Sequence, residues 1–288
     1  MEKKKTLYLV PMGGLANRYY AISSAISFCR DNSIRLRVIW FKDWGMGANF
    51  HSLFHIDIAP SKVEVIDASF WHYIYDRPRK RNLWLPYLYQ RVCFPVRIYE
   101  KNVYTSFSSS TLLKSFQRYN SVYLVQYQSF YKNDDTFRYI LPLEMYQGQI
   151  KARISAFKNH RVIGVHIRRG DHLTPTLNSP LSLFTMKIKE EIAFDPNTLF
   201  YVASDSYEEK RKLLELFGDR IITSLKEVRR DNENGIVDAL IELYTLAHTE
   251  KIYGSMASTY STLAADLFSI KLEVLSFCLL YTSDAADD

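Results

Sequence analysis

The sequence predicts an α/β protein whose second half is a doubly wound nucleotide-binding domain, and three observations carry this. β-prone runs alternate with helix-length runs from about residue 143 to residue 276. The chain also opens with strand, glycine turn, helix and strand, the seed of a parallel sheet. Its 288 residues, 47% hydrophobic and 24% charged, can bury a full core in one large α/β domain or two of ordinary size.

Residues 6 to 10 are β-prone, Gly13-Gly14 breaks the run, and residues 17 to 30 carry apolar side chains at helical spacing. Residues 35 to 40 alternate and suit a second strand. Between Lys42 and about Lys132 the chain is crowded with Tyr, Phe, Trp and Arg, and only residues 63–66 and 121–125 read as strands. From Leu143 the pattern clears. A helix to about residue 157 is followed by a strand at 162–167, a helix at 182–193 and a strand at 198–203. Then come a helix at 207–217, a strand at 221–223, a helix at 236–248, a strand at 251–254 and a helix at 258–268. The boundary falls near residue 150, which gives an N-terminal domain at 1–150 and a nucleotide-binding domain at 151–276. Residues 277–288, ending in Ser283-Asp284-Ala285-Ala286-Asp287-Asp288, lack periodicity and read as a non-native read-through tail.

The formal charge of +6 points toward anionic partners, and nucleic acid, a membrane surface and phosphorylated small molecules all fit that sign. No nucleic-acid-binding module matches, so nucleic acid is not an expected partner. Cys29, Cys93 and Cys278 form no CxxC and no metal-ligand spacing, which suits free thiols in a reducing compartment. Lys3, Lys4 and Lys5 before an apolar run imitate a signal peptide, but Pro11 and Gly13-Gly14 cut the run short. No run approaches the ~18 apolar residues of a membrane span. The expectation is a cytoplasmic protein, at most peripheral to the inner face of the membrane. The segment 77–101 mixes arginines with Trp84, Tyr87, Tyr89 and Phe94, and three readings stay open for it: a membrane-surface patch, an acceptor face or an ordinary helical surface.

In a doubly wound sheet, ligands sit beyond the carboxyl ends of the strands. Four predicted strands end in polar residues: Gly13-Gly14-Leu15-Ala16-Asn17, Arg168-Arg169-Gly170-Asp171, Ser204-Asp205 and Ser255-Met256-Ala257-Ser258-Thr259. Paired arginines at a strand end are costly to bury unless an anion meets them, and a diphosphate offers acceptors that suit guanidinium forks. Alternation places Arg168 and Arg169 on opposite sides, one toward ligand and the other toward structure, with Asp171 as the simplest partner for Arg169. His166 shares a side with Arg168 and is either a satisfied core histidine or a site neighbour. Ser258 and Thr259 precede an apolar helix, where a cap and an anion site are both expected. Asp238 reads either as a charge stabilising a helix start or as a carboxylate that accepts from guanine. Asp205 reads as a cap for the next helix or as a cleft residue.

Three elements together resemble the fucosyltransferase superfamily, which includes bacterial α-1,2-fucosyltransferases, nodulation α-1,6-fucosyltransferases and protein O-fucosyltransferases. They are Gly13-Gly14-Leu15-Ala16-Asn17-Arg18, His166-Ile167-Arg168-Arg169-Gly170-Asp171, and Asp238 followed by Gly254-Ser255-Met256-Ala257-Ser258-Thr259. The resemblance covers residues 160 to 268 and the first 30. It implies a GT-B arrangement of two Rossmann-like domains with the donor in an interdomain cleft. The implied donor is GDP-β-L-fucose and the implied acceptor a glycan. The implied reaction inverts the anomeric carbon to give an α-fucoside without a metal ion, and the lack of a DxD motif agrees. By the same resemblance Arg168 grips the donor phosphate beside His166, Asp238 binds guanine, Ser258 and Thr259 lie on the phosphate loop, and Asn17 faces the reaction centre with Gly13 and Gly14. Asp171 and Asp205 are candidates for the general base. Ala16 and Arg18 stand where the α-1,2 group usually has Gly and Gln, and His172 where it often has an aromatic, so the linkage stays open. A related transferase using another nucleotide sugar, or a non-catalytic glycan- or membrane-binding protein, are the alternatives.

Overall fold

The computed structural model describes residues 4–43, 45–74, 84–99, 107–170, 177–226 and 229–277. By contact, the chain falls into two units, Met1–Gln149 with Arg229–Ile241, and Ile150–Val228 with Glu242–Asp288.

The first unit is built on β1 (Thr6–Pro11), α1 (Leu15–Asp31) and β2 (Arg35–Trp40), followed by β3 (Phe54–Ile56) and β4 (Val63–Asp67). Next come α2 (Trp84–Cys93), β5 (Val96–Ile98), α3 (Ser109–Arg118), β6 (Ser121–Gln126) and β7 (Ile140–Pro142), and α4 (Glu144–Ser155) leads out of it. Five strands pair in parallel in the order β4-β2-β1-β6-β5, and β3 pairs antiparallel with β7. The inner strands carry near-continuous apolar side chains because both faces are covered. α1 is buried around most of its circumference, which explains why its pattern is only weakly amphipathic. Two of its three buried serines are satisfied from outside the helix: Ser24 Oγ donates to Ser129 Oγ (3.2 Å) and Ser27 Oγ to Thr136 Oγ1 (3.2 Å), whereas Ser23 Oγ is buried without a hydrogen-bond partner.

The second unit has β8 (Val162–Ile167), α5 (Leu181–Phe194), β9 (Leu199–Ser204), α6 (Tyr207–Phe217), β10 (Ile221–Ile222), α7 (Glu233–Leu246), β11 (Lys251–Ser255), α8 (Thr259–Phe268) and β12 (Lys271–Leu275). The opening turns of α7 fall in the segment that belongs to the first unit. The strand order is β10-β9-β8-β11-β12, all parallel. Its core gathers Ile163, Val165 and Ile167 with Phe184, Phe200 and Leu213. Burying each such side chain contributes about 1.5–3 kcal/mol. Gly254 lets α8 lie close on the sheet, since a Cβ there would stand 2.7 Å from Ser261 Oγ.

Each sheet starts in its middle: the second winds outward in both directions, whereas the first winds outward through β2 and β4, crosses to the far edge strand β5 and returns inward to β6, so the order reverses between β1 and β6 and between β8 and β11. Side chains beyond the carboxyl ends of those pairs are placed where open α/β sheets bind ligands.

Two expectations need correction. α7 starts at Glu233, three residues before the predicted start at 236, because Asn232 Oδ1 accepts from Gly235 N (2.9 Å) and caps the first turn. Asp238 is therefore in the second turn, beyond the reach of a simple helix-start role. α8 starts at Thr259, leaving Ser258 as its N-cap residue. Of the basic-aromatic segment, 84–99 is described. α2 exposes Leu88, Tyr89 and Val92, while Gln90 and Phe94 turn inward. Cys29 is buried and Cys93 exposed, both as free thiols; Cys278 and the tail beyond residue 277 lie outside the described residues. Among the described residues no helix is long and apolar enough to cross a membrane.

Candidate active site

Parallel register sets His166 between Ala203 of β9 and Gly254 of β11, so the exit of β8 lies in the reversal of the second sheet. Two buried serines lace this exit to its neighbours. Ser255 Oγ accepts the backbone N–H of Arg168 (3.0 Å) and reaches His166 O (3.4 Å), and Ser204 Oγ donates to Ile167 O (2.7 Å). The strand end is thereby held on both sides before the chain turns into the arginines.

The two arginines take different carboxylate partners. Arg169 is built into the unit: its Nε donates to Glu209 Oε1 (2.8 Å), its Nη1 to Arg168 O (3.0 Å), and its backbone N–H to Asp205 Oδ1 (2.7 Å). The expected partner Asp171 lies outside the described residues, as does His172. Glu209, in the first turn of α6, is a carboxylate partner of Arg169 among the described residues. Arg168 has its Nη1 3.4 Å from Asp205 Oδ2, with its side chain 19% exposed. Asp205 is not the cap of α6, because the adjacent Ser206 Oγ accepts from Glu209 N (3.4 Å). Its two oxygens instead face the two arginines.

His166 is buried, and its ring stacks on Tyr260 with centroids 4.8 Å apart and planes at 26°. Its Nδ1 lies 3.3 Å from Ser258 Oγ. Ser258 makes no side-chain cap bond to α8, although it stands at the N-cap position. Its hydroxyl faces the histidine, so the N–H groups of the first turn of α8 lack the usual side-chain acceptor, and such a terminus favours an anion. Ala257, just before it, adopts a left-handed conformation (φ 56°) that turns the chain from β11 into α8. Thr259 is exposed on the first turn. His166, Arg168, Asp205, Ser258 and Thr259 thus belong to one strand-exit cluster in the second unit. Tyr260 completes it and was not foreseen from sequence. Its signal was present in the Ser-Thr-Tyr opening of α8, where an aromatic on the first turn can lean back toward the sheet.

Gly13, Gly14 and Asn17 occupy the equivalent exit in the first unit. Gly13 has φ 86°, and a Cβ there would stand 2.7 Å from Asn17 Nδ2, so this turn needs glycine twice over. Asn17 Oδ1 is buried without a hydrogen-bond partner. Arg18 next to it is structural: it is 1% exposed, donates to Gly13 O (2.8 Å) and Phe41 O (2.5 Å), pairs with Asp43 (2.6 Å) and stacks over Trp40. Arg18 thus fixes the glycine turn from below. Asp238, half-buried on α7, belongs by contact to the first unit. Among the described residues no group of three His, Cys, Asp or Glu side chains could hold a metal ion.

Two parallel, doubly wound Rossmann-like sheets define the class as GT-B-like, the fold of a large group of glycosyltransferases. Among solved structures, the chain is similar to the α-1,6-fucosyltransferase NodZ soaked with GDP-fucose, with a TM-score of 0.65 and 19% identity over 92% of this chain and 93% of that one; NodZ comes from Bradyrhizobium. It is similar to a single-residue mutant of Arabidopsis thaliana FUT1 in complex with GDP (TM-score 0.63, 14% identity, 94% of this chain and 70% of that one). A third similar structure is POFUT1 in complex with GDP-fucose (TM-score 0.57, 12% identity, 96% and 98%). No protein-family model matches the chain, and no curated protein matches it in sequence.

Proposed function

We propose that this protein is a fucosyltransferase that moves L-fucose from GDP-β-L-fucose to a hydroxyl of a glycan acceptor, inverting the anomeric carbon to give an α-fucoside. The observation that carries the reading is Arg168, a part-exposed guanidinium at the β8 exit, beside a helix terminus whose cap hydroxyl is turned away. Three similar solved structures named above, NodZ, FUT1 and POFUT1, hold GDP or GDP-fucose, which supports the same donor here.

In this reading the acceptor oxygen attacks C1 of fucose as the bond from C1 to the β-phosphate oxygen breaks. Negative charge grows on the departing GDP, and stabilising it is the largest task. Arg168 supplies a forked, charge-assisted contact, and the first turn of α8, from Ser258 and Thr259, supplies backbone N–H groups. His166, fixed between Ser258 and Tyr260, is a donor at the same place. Asp205 orients Arg168 and acts as a positioning residue. The acceptor proton passes to a base, for which Asp171 and Asp205 are the candidates. Asp238 accepts from guanine, Asn17 offers its unpartnered Oδ1 toward the sugar or acceptor, and Gly13 and Gly14 leave room for them. The residues need no metal for this chemistry. In this reading the protein works in the cytoplasm, and the segment 77–101, where Leu88, Tyr89 and Val92 are exposed, is a candidate for either peripheral membrane contact or acceptor binding.

The test is Arg168→Ala, checked for folding by circular dichroism, with release of GDP from GDP-fucose as the readout. A loss of ~100- to 1,000-fold in rate is expected. Unchanged release would sink the assignment, and thermal stabilisation of the wild type by UDP but not GDP would replace the donor.

A further inference from the structure

A second cationic site lies at the other end of the first sheet, away from the strand exits. The ladder builds it. Arg35 N donates to Lys5 O (2.9 Å), Leu36 N to Lys62 O (2.8 Å) and Thr6 N to Asn120 O (2.9 Å). These are the opening rungs of four adjacent parallel strands, β4, β2, β1 and β6, and neighbouring strands lie about 4.8 Å apart. Lys62, Lys5 and Asn120 are therefore brought into one row although they are far apart in sequence.

That row borders a cavity of about 960 Å³, a size suited to a small molecule. Its charged lining is Lys4, Lys5, Arg30, Arg35 and Lys62 against the single carboxylate Asp31. The arginines and the carboxylate are already engaged. Arg35 pairs with Glu64 (2.9 Å), Arg30 with Asp135 (3.5 Å), and Asp31 accepts from Tyr131 (2.9 Å) and Asn133 (3.1 Å). The ammonium groups of Lys4, Lys5 and Lys62 have no ion-pair or hydrogen-bond partner among the described residues. Three lysines without a partner among the described residues thus line one concave space, together with two guanidinium groups held by carboxylates. Such an arrangement repels itself when empty and is relieved by a ligand carrying several negative charges.

We propose that this cavity binds phosphate groups that together carry several negative charges, presented either by a soluble diphosphate or by clustered anionic lipid headgroups. The site is separate from the donor cluster and does not depend on the donor reading. A compact ammonium suits phosphate as a point charge, and the contact weakens with salt.

Isothermal titration of the intact protein with inorganic pyrophosphate, in low salt and with GDP saturating, reads the soluble form. Co-sedimentation with phosphatidylglycerol-containing vesicles, against pure phosphatidylcholine vesicles, reads the lipid form. The variant Lys4→Ala/Lys5→Ala/Lys62→Ala changes only exposed side chains and keeps the fold. Wild-type binding to at least one probe, reduced at least about tenfold in the variant, supports the site, and the probe that binds identifies the source of the phosphate. Equal binding by wild type and variant, or binding of neither probe, overturns it.

Discussion

Asp205 Oδ1 accepts the backbone N–H of Arg169 at 2.7 Å while its Oδ2 stands 3.4 Å from Arg168 Nη1, so one carboxylate sets both the turn and the guanidinium beside it. Removing it frees Arg168 to sample other rotamers. A hydrogen bond to a charged group is worth about 1.5–3 kcal/mol, so Asp205→Ala should lower kcat/KM for GDP-fucose by about 10- to 100-fold. Asp205→Asn, which still accepts the Arg169 N–H, should lose less. Steady-state kinetics with the donor varied check this; equal losses in both variants would show that the backbone contact is not what matters.

Tyr260 holds the His166 ring by stacking at 4.8 Å. A ring pair contributes about 0.5–1.5 kcal/mol beyond burial, so Tyr260→Ala should cost about 2- to 10-fold in donor turnover, whereas Tyr260→Phe should be close to wild type. If the Phe variant fell as far as the Ala variant, the hydroxyl and not the stack would be the working part.

Lys210 and Glu242 tie α6 to α7 inside the second unit. Their side chains are 1% and 9% exposed, their heads are 2.8 Å apart, and Lys210 Nζ also donates to Ser224 O. Breaking a buried pair leaves one charge uncompensated, so Glu242→Gln or Lys210→Met alone should destabilise by about 3–5 kcal/mol. The double variant Lys210→Met/Glu242→Leu should recover most of it. Urea midpoints measure all three, and a double variant no better than the singles contradicts the account.

Glu191 lies at the opposite end of the second sheet, where Lys251 (2.6 Å), Tyr253 (2.5 Å) and Arg161 (2.7 Å) converge on it. Burial pushes its carboxyl up, but the hydrogen bonds from Lys251, Tyr253 and Arg161 outweigh this and hold it at about 2, below its ordinary 4.5. A depressed folded-state pKa contributes stability that is complete above the ordinary value and is lost as pH falls from 4.5 toward 2. Denaturant midpoints measured across that range should fall in the wild type, and Glu191→Gln should flatten the slope. An unchanged slope in the variant would place the acid sensitivity elsewhere.

Much of the fold was legible because parallel sheets impose strong local signals. The run Val162-Ile163-Gly164-Val165-His166-Ile167 is buried along its whole length, and helices of ordinary size follow such strands at short intervals. α1, β2 and α6 were read for the same reason. Between β2 and β6 only β4 was read; β3 and β5 were not, because they are three residues each and their pairing depends on distant partners. The start of α7 was placed three residues late because the Asn232 cap that starts the helix is only evident in three dimensions.

The sequence by itself determined the α/β class, the strand exits and the identity of the residues crowded there, since apolar period and turn chemistry are local properties. The tertiary structure decided their partners. Arg169 meets Glu209, Asp205 faces both arginines, Ser258 turns from its helix to His166, and Tyr260 covers the ring. These choices depend on which strands become neighbours in the order β10-β9-β8-β11-β12, and hydrogen bonds between residues tens of positions apart form only once that order exists.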